Sequence, residues 1–117
     1  MARSLRIEYP GAFYHVTSRG NEQKAVFKSL RDREKFLTYL ESATERYGAV
    51  IHVYCLMDTH YHLFIETPSG KLSKIMQHIN GAYTTYFNRK RDAVVSRGSG
   101  QANYLEPLEI SQKYTAI

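Results

Sequence analysis

The chain has 117 residues, 43% of them hydrophobic and 23% charged, enough for one domain with a single core and too few for two ordinary ones. No run approaches the roughly 18 consecutive apolar residues of a membrane span, and the opening Met-Ala-Arg-Ser-Leu-Arg-Ile-Glu has no apolar signal-peptide core, so neither membrane nor export is expected. A net charge of +5 favours an anionic partner, and the lone Cys55 excludes an intrachain disulfide and suits a cytoplasmic location.

Gly11 to Arg19 is rich in β-formers after Pro10 and reads as a first strand, broken by Gly20-Asn21-Glu22. Arg31 to Tyr47 places Phe36, Leu37, Leu40, Ala43 and Tyr47 at helical spacing. Ser29-Leu-Arg-Asp32 caps that helix and Gly48 ends it. Ala49 to Met57 alternates as a second strand, with His52, Tyr54 and Leu56 on one face and Ile51, Val53 and Cys55 on the other. Asp58-Thr59 makes a tight turn into a third strand, His60 to Thr67. There Tyr61, Leu63 and Ile65 face one way, and His60, His62, Phe64 and Glu66 the other.

Pro68-Ser-Gly70 closes the sheet segment, and a long helix follows with Leu72, Ile75, Met76, Ile79, Tyr83, Tyr86 and Phe87 as its apolar stripe. Beyond Arg91 loop chemistry sets in, with a short helix expected after Pro107. The order strand, helix, strand, strand, helix predicts an α+β, ferredoxin-like (RRM-like) split βαβ sandwich lacking its last strand. Its antiparallel sheet has two helices on one face, leaving the histidine face open or partly open. Residues 1–92 form the domain proper, with 93–117 as an atypical tail of it.

His60 and His62, two apart on a strand, present two imidazoles from one face. Imidazole suits divalent transition metals, and two protein ligands leave positions for water or a substrate oxygen, as a catalytic ion requires. The bland alternative is two polar positions on an ordinary sheet. Glu66 shares the face, either assisting the metal or standing as an exposed carboxylate. The basic block Arg89, Lys90 and Arg91 is a candidate phosphate contact or a solvated helix end. Ten tyrosines and five phenylalanines supply faces on which exposed bases can stack.

Three segments carry a family resemblance. Pro10-Gly-Ala-Phe-Tyr-His-Val-Thr-Ser-Arg-Gly-Asn21, Cys55-Leu-Met-Asp-Thr-His-Tyr-His-Leu-Phe-Ile-Glu-Thr-Pro68 and Ile79-Asn-Gly-Ala-Tyr-Thr-Thr-Tyr-Phe-Asn-Arg-Lys90 resemble the REP-associated tyrosine transposases. Those proteins belong with the single-tyrosine HUH transposases of small bacterial insertion sequences, and the resemblance covers roughly residues 5–91. It implies that His60 and His62 hold a divalent metal, Mg or Mn, against the scissile phosphate of single-stranded DNA. It further implies attack by a tyrosine on a later helix, a 5′-phosphotyrosine intermediate, a released 3′-hydroxyl, and a homodimer acting on hairpin-forming DNA ends.

Past Arg91 the chain departs from the family pattern. The family's Gly-x-x-Phe-Gln-Gly-Arg element and its later Tyr-Ile-x-x-Asn-Pro-Val segment, which bears the nucleophile, are both missing. No tyrosine is followed four residues later by the Gln or Asn that supplies a further ligand in typical members. The stretch after Arg91 therefore reads as a shifted frame or a degenerate end. Tyr114 is the candidate substitute nucleophile, with Tyr104 behind it. The rival readings are a catalytically inactive DNA-binding remnant and a ferredoxin-like interaction domain that binds no nucleic acid.

Overall fold

The computed structural model describes residues 8–94 and 108–117. Four strands, β1 (Ala12–Gly20), β2 (Val50–Leu56), β3 (His60–Thr67) and β4 (Ile110–Ala116), form one sheet in the order β2-β3-β1-β4. Adjacent strands are antiparallel. Helices α1 (Leu30–Tyr47) and α2 (Leu72–Val94) cover one face of it, giving the ferredoxin-like sandwich. No helix among the described residues is long and apolar enough to cross a membrane.

The last strand is present, and it replaces the helix expected after Pro107. Ile110, Gln112 and Tyr114 point toward the helix layer, while Ser111, Lys113 and Thr115 point away, and the segment pairs with β1 from Tyr14↔Ala116 to Gly20↔Ile110. Ile110 and Tyr114 gain partial burial against the core, and pairing with β1 satisfies backbone groups on one side of the segment. A seven-residue helix at this place would forfeit both.

Local chemistry explains the other boundaries. Ser29 caps α1 by accepting from the Asp32 N–H at 3.2 Å, and Gly48 ends it at φ +71°, a left-handed conformation suited to glycine. Gly20 serves another purpose: a Cβ there would lie 2.8 Å from the Lys24 carbonyl oxygen. Strands β1 and β3 alternate strictly, with Tyr14, Val16, Tyr61, Leu63 and Ile65 buried beneath the helices. On the helix side Phe36 anchors an aromatic cluster, 4.6 Å from Tyr61, 5.3 Å from Phe27 and 5.5 Å from Tyr83, centroid to centroid.

Strand β2 departs from the simple alternation. Its register with β3 shifts between Ile51 and Val53, so that Ile51 opposes Ile65, Val53 opposes Phe64 and Tyr54 opposes Leu63. One extra residue, His52, is inserted there as a bulge. Beyond it Tyr54 and Leu56 lie on the helix side with Ile51, while Val53 and Cys55 join the open face. The two-faced assignment expected for this strand is therefore corrected at the bulge.

Candidate active site

The open face is built by β3 and its neighbours. Antiparallel pairing sets Thr17 opposite His62 and Arg19 opposite His60, and it sets His15 opposite Phe64, one position diagonally from His62. His15 and His62 stack with ring centroids 5.2 Å apart and planes 9° apart. The His60 ring stands nearly perpendicular to that of His62, also at 5.2 Å.

Each Nδ1 of the pair has a partner within the protein. His62 Nδ1 lies 3.1 Å from His15 Nε2 and 3.4 Å from Thr17 Oγ1, and His60 Nδ1 lies 3.3 Å from Thr59 Oγ1. Engaging Nδ1 leaves Nε2 as the nitrogen available to a ligand, and such partners fix the orientation of a metal-binding imidazole. Burial, then the nearby His15 and His60 charges, hold the His62 imidazole below the ordinary histidine range. It is neutral near pH 7, the form a metal requires.

Among the described residues, no group of three or more His, Cys, Asp or Glu side chains is arranged to hold a metal ion. Two imidazoles alone are too few for a closed structural site. Glu66 is not aimed at the pair; it accepts from or shares a proton with His52 Nε2 at 2.9 Å, at the far end of β3.

Other expected site residues lie elsewhere. Arg89, Lys90 and Arg91 belong to the end of α2, in the helix layer. Arg89 is exposed and lines a cleft of about 660 Å³ with Lys35, Tyr39, Tyr86 and Lys90. Lys90 is already engaged: its Nζ donates at 2.5 Å to Asp32, a completely buried carboxylate that also accepts from Tyr86 Oη at 2.7 Å and from the Lys28 N–H at 2.9 Å. Burial and that bond push the Tyr86 hydroxyl up to about 12, keeping it a donor.

Tyr114 pairs with Val16 on the helix side of the sheet, and its hydroxyl donates to Gln112. The sheet stands between that hydroxyl and the two imidazoles of the same chain. Tyr104 lies outside the described residues. Tyr61 and Tyr83 are core residues: burial pushes both hydroxyls well above the ordinary phenol range, and they donate to Asn80 Oδ1 and the Val26 carbonyl, each at 2.5 Å.

Sequence reasoning missed His15, Thr17 and Thr59. The signal was present, since alternation along Phe13, His15, Thr17 and Arg19 sets one face of β1, but the register that brings them beside His62 was not readable from either strand alone.

Comparison with curated protein sequences found no match. Among solved structures, the chain is similar to a REP-associated tyrosine transposase bound to a REP hairpin, with 14% identity and a TM-score of 0.70, covering 100% of this chain and 62% of that one. The chain thus spans under two thirds of that protein's length. It is also similar to a protein from Deinococcus radiodurans described as a transposase, with 13% identity and a TM-score of 0.61, covering 97% of this chain and 83% of that one. At these identities the likeness shows the fold. A family model for IS200-like transposases matches residues 9–105, which is most of the chain. The open-faced ferredoxin-like sheet bearing His60 and His62 is therefore that of a protein belonging to the IS200-like transposase family.

Proposed function

We propose that this chain cuts and rejoins single-stranded DNA at hairpin-bearing ends, as a homodimer, using a divalent ion held by His60 and His62. The observation that carries the reading is the pair itself: two imidazoles side by side on the sheet face that neither α1 nor α2 covers, each with Nδ1 engaged by a neighbour. A divalent ion, Mg or Mn, would be held by His60 and His62 and would supply neutralisation of the phosphate and of charge developing in the transition state. His15, Thr17 and Thr59 orient the two rings. A tyrosine hydroxyl attacks phosphorus, the bond to the 3′-oxygen breaks, the proton passes to that oxygen, and a 5′-phosphotyrosine remains. The intermediate conserves the bond energy, so rejoining needs no nucleotide cofactor. Tyr114, which lies on the far face of its own sheet and so would act on the histidines of the other copy, is the candidate for the attack, with Tyr104 behind it.

One observation favours a second reading. The Tyr114 hydroxyl is turned away from the histidines and bonded to Gln112, as in a module that binds hairpin DNA without cutting it. Incubation with hairpin-containing single-stranded DNA and Mn separates the two. A protease-sensitive covalent adduct, lost in Tyr114→Phe or in Tyr104→Phe, supports cutting and identifies the nucleophile. Metal-dependent binding without an adduct supports the inactive module, and no binding at low salt overturns both.

A further inference from the structure

Beside the histidines, the same open face carries a group of aromatic rings that serves no core. Phe13 on β1 and Phe64 on β3 have centroids 5.9 Å apart. The bulged His52 packs against both, at 5.8 Å and 25° from Phe13 and 5.6 Å from Phe64. All three lie on the face opposite the helices, with the phenylalanines only partly buried and His52 exposed. The bulge in β2 turns His52 outward, and Glu66 pins its Nε2 at 2.9 Å. Leaving two phenylalanines on an uncovered sheet face costs burial that the core could otherwise have gained.

Charge on this face is one-sided. Arg19 and Lys113 project from β1 and β4 as exposed cations, opposite His60 and Thr17 respectively. Glu66 is the only acidic side chain among the strand residues of the face, and it is occupied by His52. Stacking rings flanked by cations suit a strand whose bases are unpaired and whose phosphates are exposed. Phe64 stands two residues from His62, about 6.8 Å along the strand.

We propose that Phe13, Phe64 and His52 form a stacking platform for unpaired bases next to the phosphate held at His60 and His62, with Arg19 and Lys113 on the backbone. This rests on the function proposed above and adds the direction in which the strand leaves the site: toward the Phe13–Phe64 end of the sheet. The platform is tolerant of sequence, because every base offers a π-face.

The test uses two fluorescent probes, an oligodeoxythymidylate and an abasic deoxyribose-phosphate chain of equal length, titrated by anisotropy across a salt series. The wild type binds the base-bearing probe more tightly. Phe64→Ala and Phe13→Ala each weaken that binding about tenfold, equivalent to ~1.4 kcal/mol. Neither changes the abasic probe's affinity nor the slope of affinity against salt. Phe64→Leu keeps the apolar volume and loses the effect of the ring, so it repeats the loss even where the alanine variant fails to fold, and Phe64→Tyr restores binding. Equal binding of thymidylate by wild type and Phe64→Leu overturns the platform and leaves the DNA-cutting function standing. Equal loss on both probes also overturns it, since that marks a phosphate effect. Failure of the wild type to bind either probe also overturns the platform, and the hairpin-DNA adduct assay then decides separately whether the function beneath it falls.

Discussion

Replacing Lys90 with Met distinguishes a structural role for this cation from a phosphate-contacting one. Its partner Asp32 is completely buried, whereas Lys90 is 39% exposed. Removing one member of a buried pair costs about 3–5 kcal/mol. Solvent screening of the half-exposed ammonium lowers that figure. So do the donors Asp32 keeps, Tyr86 Oη and the Lys28 N–H, and we expect roughly 1.5–3 kcal/mol. At about 4 °C per kcal/mol for a chain of this size, the melting temperature falls by roughly 6–12 °C. Urea and thermal unfolding followed by circular dichroism measure both.

The pH dependence carries a sign. Burial alone would raise the Asp32 carboxyl, but the bonds from Lys90, Tyr86 and Lys28 outweigh it and hold the group below its ordinary 3.8. A depressed carboxylate contributes its full stability above that value and loses it as the pH falls through the lower, folded-state pKa. Wild-type stability from this carboxylate is therefore complete above about pH 3.8 and declines below it. The gap to Lys90→Met narrows as the pH falls and Asp32 takes up a proton in the folded variant. Single-stranded DNA binding keeps its salt slope in the variant, because a phosphate contact would carry about 0.7 of that slope. A variant as stable as wild type, with its slope reduced by about 0.7, refutes the reasoning and returns Lys90 to the DNA.

Arg89 is the exposed member of the same block, and Arg89→Ala should weaken DNA binding alike for all sequences and reduce the salt slope by about 0.7; an unchanged slope makes it a solvated helix end. Tyr61→Phe removes the donor to the buried Asn80 Oδ1 and should cost about 1–3 kcal/mol in urea unfolding, with metal-dependent DNA affinity intact. Gly20→Ala sets a Cβ 2.8 Å from backbone and should cost about 1–3 kcal/mol, whereas Gly81→Ala, where a Cβ meets nothing within 4 Å, should be neutral or stabilising.

The histidine face was legible because β3 is buried on one side only, so its period of two assigns every side chain. The same rule misplaced half of β2, since a bulge inserts a residue that alternation cannot register: His52 faces outward, yet Tyr54 and Leu56 join the core side. Strand β4 was hidden by its composition. Only Ile110 and Tyr114 mark its inward positions, with Gln112 between them, and Pro107 suggested a helix start. The candidate nucleophile Tyr114 thus lies at a core-side position that the sequence did not reveal. The Lys90–Asp32 ion pair was hidden for another reason: Asp32 lies 58 residues away and is brought to Lys90 only by the packing of α1 on α2.

The central claim is that His60 and His62 together hold a divalent ion against a DNA phosphate. Anisotropy of a fluorescent single-stranded hairpin probe, titrated with Mn in wild type, His60→Ala and His62→Ala, tests it directly. The account predicts that Mn strengthens binding by the wild type, that chelation reverses the gain, and that either substitution abolishes it while leaving metal-free affinity and the melting temperature unchanged. Mn-dependent binding that survives both substitutions would contradict it.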